Sequence, residues 1–312
     1  MVTDVLILLA GLLLVILGAD WLVDGSSDIA RRAGLSEFLI GMTIVGIGTS
    51  LPELVVSLTG ALRGSADIAV GNVVGSNIFN VFLILGLTAL VRPVAVSRDN
   101  KRKDIPLGIA AVVLLIGLGK IDGTLRAVEG AVLLLSFAAY MYLSFRTGKA
   151  EEDAAPDTGK KPLKLWLTII MVLVGLGFLI FGGNLFVDSA CRIAQEAGLS
   201  EKFIAITILA LGTSLPELVT CLVAAVKGKS SLALGNIIGS NISNILLILG
   251  ASALACPLSL VNIKAIDLGM LLLSSVILLI SAWTGRDRIG RGDGAFYLLV
   301  FISYMTYLTL NI

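Results

Sequence analysis

Two glutamates, Glu53 and Glu217, sit inside apolar stretches, each closing the same short phrase. Gly48-Thr49-Ser50-Leu51-Pro52-Glu53 returns as Gly212-Thr213-Ser214-Leu215-Pro216-Glu217. A carboxylate is costly inside an apolar segment of membrane-spanning length, so its presence points to a functional role. Gly46, Thr49, Ser50 and Glu53 fall at i, i+3, i+4 and i+7, which is one stripe of a helical surface. The partner stripe is Ala210, Thr213, Ser214 and Glu217. Pro52 and Pro216 have no N–H, so each frees the carbonyl four residues back and is expected to kink its helix. Carboxylate, hydroxyl and freed carbonyl are all hard oxygen donors. That set suits Ca²⁺ or Na⁺ and not zinc or copper. Further along, Ser76 with Asn80 and Ser240 with Asn244 add oxygen ligands one helical turn apart.

The elements that must position these residues are repeated too. Gly71-Asn72-Val73-Val74-Gly75-Ser76-Asn77 returns as Gly235-Asn236-Ile237-Ile238-Gly239-Ser240-Asn241. Every pair is separated by 164 residues. More than half the positions of residues 33–93 are identical in 197–257. The 312-residue chain is 57% hydrophobic and 14% charged, with a mean hydropathy of +0.99. A soluble domain carries about 25% charged residues, so this composition is that of an integral membrane protein.

Apolar runs predict an all-α protein of ten transmembrane helices, near 4–30, 36–62, 67–91, 105–119, 125–145, 165–191, 200–226, 231–255, 265–284 and 294–311. The 105–119 run is short for a span. Residues 1–145 form one five-helix repeat and 165–312 a second, joined by a polar linker, 146–164. Five is odd, so the second repeat must insert upside down. With the N-terminus outside, most of the 23 basic residues face the cytoplasm. They include Arg31 and Arg32, the Arg98–Lys103 group, the linker lysines, Lys227, Lys229 and Arg286–Arg291. The positive-inside rule then places both termini outside the cell (inner) membrane. Inverted repeats of this kind build secondary transporters, with the substrate site where the repeats meet.

Other features have plainer readings. The Gly-x-x-x-Gly pairs, Gly71/Gly75 and Gly235/Gly239, are expected to serve close helix packing. Cys191, Cys221 and Cys256 lie scattered in apolar context and read as packing residues. Asp20, Asp24 and Asp188 are expected near a membrane surface, solvated. Histidine is absent, and the net charge of +1 gives no basic tract for nucleic acid. No cofactor, no enzymatic activity and no obligatory protein partner are expected. The expected partners are the transported ions and the lipid bilayer.

At these residues the chain resembles the cation/Ca²⁺ exchanger superfamily, specifically its prokaryotic sodium/calcium exchanger branch. The resemblance spans essentially the whole chain and rests on both motif pairs. It implies an antiporter exchanging Ca²⁺ for Na⁺ by alternating access. It also implies that Glu53 and Glu217 are the shared Ca²⁺ ligands, helped by the carbonyls of Thr49 and Thr213. Flanking sodium sites would draw on Ser50, Ser214, Ser76, Ser240 and the carbonyls of Gly46 and Ala210, with Asn80 and Asn244 closing the centre. The potassium-dependent branch has an aspartate in this motif. Asn244 leaves two carboxylates, which argues against potassium co-transport. The alternative is a proton/Ca²⁺ antiporter of the same superfamily, which typically lacks the Ser-Leu-Pro before its glutamate. An aspartyl-type intramembrane protease would need two intramembrane aspartates in Gly-x-Gly-Asp settings; both motif acids here are glutamates, and the single Gly-x-Gly-Asp, Gly290–Asp293, has no second copy.

Overall fold

A computed structural model of the protein describes residues 2–147, 163–198, 210–261 and 263–310. Most of the expected linker, and residues 199–209 at the start of the expected seventh span, therefore lie outside the described residues. The described chain is all-helical apart from two short β ladders. Its helices are α1 (Val2–Ala33), α2 (Glu37–Thr49), α3 (Leu51–Leu62), α4 (Ala66–Val91), α5 (Asn100–Ile121) and α6 (Ala127–Arg146) in the first half. The second half holds α7 (Leu165–Glu196), α8 (Ala210–Thr213), α9 (Leu215–Val226), α10 (Ser230–Ala255), α11 (Ala265–Thr284) and α12 (Arg291–Leu310).

Eight of these helices are long and apolar enough to cross a membrane, and the bent pair α2–α3 makes a ninth candidate. Helix α9 is apolar but shorter than a span. The run expected at 105–119 is longer than its apolar stretch suggested. Helix α5 begins at Asn100, because the polar stretch Asn100–Asp104 continues as a π turn. Asn100 and Ser97 cap each other there, and Lys101 pairs with Asp287.

Burial separates core from rim. The most apolar 18-residue windows of α4 and α10 are 78% buried, against 33% or less for the other six long helices. A helix apolar on all sides and exposed in the isolated chain faces lipid, as the bare Leu6, Leu9 and Leu13 of α1 do. Helices α4 and α10 form the centre. Residues Glu37–Val45 of α2 lie directly against α10: a Cβ on Gly239 would sit 2.1 Å from the Met42 carbonyl oxygen, and one on Gly235 2.2 Å from that of Phe38. The packing role expected of both pairs is met by Gly235 and Gly239 but not by Gly71 and Gly75, where an added Cβ would meet nothing within 4 Å among the described residues.

Helices α1 and α7, the first long helix of each half, pack antiparallel through glycines. A Cβ on Gly11 would lie 2.8 Å from the Gly182 carbonyl oxygen, and one on Gly18 2.7 Å from that of Gly175. Without a hydrophobic drive between helices in lipid, such small-residue contacts supply the packing. Polar pairs close both ends: Thr168 Oγ1 donates to Asp28 at 2.6 Å, and Arg192 meets Asp4 at 2.8 Å. The β ladders cross the halves as well. Val94–Ala95 (β1) pairs with Arg288–Ile289 (β4), and Thr124–Leu125 (β2) with Leu258–Ser259 (β3), both antiparallel.

Candidate cation site

The two motif glutamates meet between α4 and α10. The chain breaks at Ser50, between α2 and α3, with a bend of 46°. Ser50 (φ −82°, ψ 6°) and Ser214 (φ −88°, ψ 4°) share the bridge conformation that ends one helix and starts the next. Pro52 and Pro216 then sit in the first turn of α3 and α9, where a missing N–H costs nothing. The expected kinked helix is in fact two helices. Glu53 and Glu217 fall in the first turn of the second helix, where the positive end of the helix dipole favours a carboxylate.

Both glutamates are about 1% exposed. Each is held by a serine from the opposite half. Ser214 Oγ donates to Glu53 Oε1 at 3.2 Å, and Ser50 Oγ donates to Glu217 Oε1 at 3.1 Å. Thr213 likewise neighbours Glu53, and Thr49 neighbours Glu217. Ser76 Oγ adds a contact to Glu53 Oε1 at 3.4 Å. Ser240 Oγ instead donates to the carbonyl of Gly46 at 3.1 Å. Thr49 Oγ1 donates to Asn236 Oδ1 at 3.1 Å and approaches the Gly46 carbonyl at 3.4 Å. Ala210 lies in α8, three residues before Thr213.

Nine buried side-chain oxygens find no hydrogen-bond partner among the described residues; five are hydroxyls, and the four that can only accept are Glu53 Oε2, Glu217 Oε2, Asn80 Oδ1 and Asn244 Oδ1. They are two repeat-related pairs. Asn80 and Asn244 are 1% and 0% exposed, and each opens a π turn within its helix, Asn80–Leu85 and Asn244–Ile248. Buried acceptors without donors are costly unless something positive joins them. Carboxylate, amide and hydroxyl oxygens are all hard donors, the kind that suits a hard cation; among the described residues there is no cluster of three or more His, Cys, Asp or Glu.

The sequence motifs also contained four asparagines that the reading of ligands passed over. Asn72 Nδ2 donates to the Glu53 carbonyl at 3.2 Å and to Ser57 Oγ at 3.0 Å. Asn236, its repeat mate, donates to Cys221 Sγ at 3.2 Å. Asn77 and Asn241 bond across the halves to Asn244 and Asn80. Their signal was recurrence within the second motif. Asp20 and Asp24, expected near a membrane surface and solvated, are half-exposed and also paired with Lys227 at 2.6 and 2.9 Å; Lys229 reaches Asp24 at 3.3 Å.

Comparison with known proteins decides the family. The sodium/calcium exchanger protein family matches residues 3–146 and again 167–310. The chain belongs to that family. This exchanger is 33% identical to the sodium/calcium exchanger MaX1 of Methanosarcina acetivorans, covering 97% of both chains. It is 37% identical to the inner membrane protein YrbG of Escherichia coli, covering 97% of this exchanger and 95% of YrbG. Among solved structures it is similar to the sodium-calcium exchanger NCX_Mj soaked without Na⁺ and Ca²⁺, with a TM-score of 0.86, 33% identity, and 98% and 99% of the two chains covered. NCX_Mj soaked with 2.5 mM Na⁺ and 0.1 mM Ca²⁺ matches with a TM-score of 0.85. This exchanger is therefore an integral membrane protein built on the fold of that transporter.

Proposed function

We propose that the protein exchanges Ca²⁺ for Na⁺ across the membrane, by alternating access to one buried site between two inverted five-helix halves. The observation that carries this reading is the set of four buried acceptor oxygens, Glu53 Oε2, Glu217 Oε2, Asn80 Oδ1 and Asn244 Oδ1. Two carboxylates balance one Ca²⁺, and neutral amide and hydroxyl oxygens complete its shell. Several Na⁺ ions can occupy the same oxygens, with Ser50, Ser214, Ser76, Ser240 and the carbonyls of Gly46, Thr49, Ala210 and Thr213 at the flanks. An empty pair of buried carboxylates is too costly to carry through the apolar interior. Only a loaded site crosses, so movement of one ion requires movement of the other.

The inverted arrangement has three supports. Helices α1 and α7 are antiparallel. The two β ladders join repeat-related segments crosswise. The family matches the chain twice, over 3–146 and 167–310. On this reading the chain has ten spans, with 146–164 as a cytoplasmic linker and both termini outside. The basic residues of the loops support that orientation.

Sodium-loaded proteoliposomes diluted into sodium-free medium should take up ⁴⁵Ca²⁺, and an imposed pH gradient should not replace the sodium gradient. Uptake that follows the pH gradient alone would move the protein to the proton-coupled branch.

A further inference from the structure

The two ligand amides, Asn80 and Asn244, each have an oxygen and an NH₂ group of nearly equal size, so something must decide which faces the site. The asparagine neighbours supply the answer. Asn80 Nδ2 donates to Asn241 Oδ1 at 2.9 Å, and Asn244 Nδ2 donates to Asn77 Oδ1 at 3.0 Å. Asn77 Nδ2 in turn donates to the main-chain carbonyl of Asn241 at 3.0 Å, and Asn241 Nδ2 reaches the carbonyl of Asn77 at 3.5 Å. A main-chain carbonyl can only accept. It therefore fixes the NH₂ end of Asn77 and of Asn241. The side-chain oxygens of those two residues must then accept, which takes up the NH₂ groups of Asn80 and Asn244. What remains of each ligand amide is its oxygen, buried and free of donors among the described residues.

We propose that Asn77 and Asn241 are positioning residues which set the polarity of the cation site, each acting on the ligand amide of the opposite half. The pairing is crossed: Asn241 orients Asn80, and Asn77 orients Asn244. An amide turned the other way would put N–H donors where the two donor-free oxygens now lie. Those donors would repel a cation. The ring of four asparagines keeps the oxygens facing inward whether or not an ion is bound. It also couples the halves, because every link crosses from α4 to α10. The two carbonyls are invariant parts of the chain, so the device depends only on the two side chains that read them.

This inference rests on the cation-exchange reading, and its test keeps the two apart. The readout is Ca²⁺-dependent thermal stabilisation of the purified full-length protein, which follows binding into the millimolar range. Asn241→Leu and Asn77→Leu should each weaken Ca²⁺ binding about tenfold, the usual order for losing a polar contact to a charged ligand. In an Asn80→Ala background the ligand oxygen is already gone. Asn241→Leu should then change the affinity by less than about twofold, whereas Asn77→Leu should still cost about tenfold. An Asn244→Ala background should reverse the pattern. A merely structural role would give the same losses in every background, and that result would overturn the proposal, as would coupling within a half. Asn241→Ala and Asn77→Ala give the same test if leucine prevents purification. Wild-type protein that Ca²⁺ does not stabilise at all would instead overturn the exchange reading itself.

Discussion

The two halves of the site contain nearly the same residues but bond them differently. Ser76 touches the carboxylate of Glu53, while its mate Ser240 turns to the carbonyl of Gly46. Asn72 is partly exposed and braces Ser57 and the Glu53 carbonyl, while Asn236 is fully buried and joins Thr49 to Cys221. The flanks differ in chemistry too. Asp20 and Asp24 are tied to Lys227 and Lys229. The repeat-related positions are Asn184, Asp188, Arg63 and Ser65, which replace two of the four charges with neutral groups. Duplication therefore kept the side chains of the candidate ligands alike and let the groups around them diverge. On the alternating-access reading proposed above, a symmetric ligand set would let one site serve both sides of the membrane, and asymmetric supports would let the two access states differ in energy.

The largest expected effect would break the comparison outright. Glu53→Gln and Glu217→Gln should each abolish Ca²⁺ transport, because each leaves a divalent ion half-neutralised in an apolar interior, a loss of about 3–5 kcal/mol. Asp99→Asn, at an exposed surface pair, should leave transport intact. If either glutamate variant transports at the wild-type rate, the two halves do not share one site.

Packing comes next. Gly239→Ala would drive a Cβ into the Met42 carbonyl, where backbone cannot give way. Transport and thermal stability should both fall, by about 1–3 kcal/mol in stability, as overpacking does. A fully stable, active Gly239→Ala would show that α2 and α10 are not held this closely.

A smaller effect sharpens the contrast between the serines. Ser76→Ala removes a hydroxyl from Glu53, and Ser240→Ala removes one from a neutral carbonyl. Bonds to charged groups are worth about 1.5–3 kcal/mol and neutral ones about 1 kcal/mol. Ser76→Ala should therefore raise the half-saturating Ca²⁺ concentration more than Ser240→Ala. Equal increases would mean that the two arrangements interchange within the binding measurement.

The smallest effect concerns the flank. Lys227→Ala removes partly exposed ion pairs worth at most about 1 kcal/mol. The exchange rate should change a few-fold, and the change should shrink at high salt. A salt-independent change of the same size would point to packing and not to charge.

Much of the site was legible in the sequence, because an isolated carboxylate in an apolar run has few other uses. Glu53, Glu217 and the hydroxyls around them follow from that cost and from helical spacing. The crossing of partners was not legible. A repeat offset aligns Ser50 with Ser214 but cannot say that each reaches the other half's glutamate. Asn77 and Asn241 escaped notice because they contact no carboxylate, and only the two-residue logic of donors and acceptors reveals them. Helix α5 was underestimated because its polar start, Asn100–Asp104, is held by capping and by Asp287, contacts that hydropathy does not register. The break at Ser50 was visible as a kink, but where one helix stops depends on the bridge conformation of that single residue.

The central claim is that Ca²⁺ and Na⁺ contend for one cavity whose charge comes from Glu53 and Glu217 alone. Equilibrium binding of ⁴⁵Ca²⁺ to the purified protein, titrated with Na⁺ and with or without K⁺, tests it most directly. The account predicts one Ca²⁺ bound per chain, displaced completely and cooperatively by Na⁺, indifferent to K⁺ and lost in Glu53→Gln and in Glu217→Gln. Calcium that stays bound at saturating Na⁺, or that survives the loss of either glutamate, would contradict it.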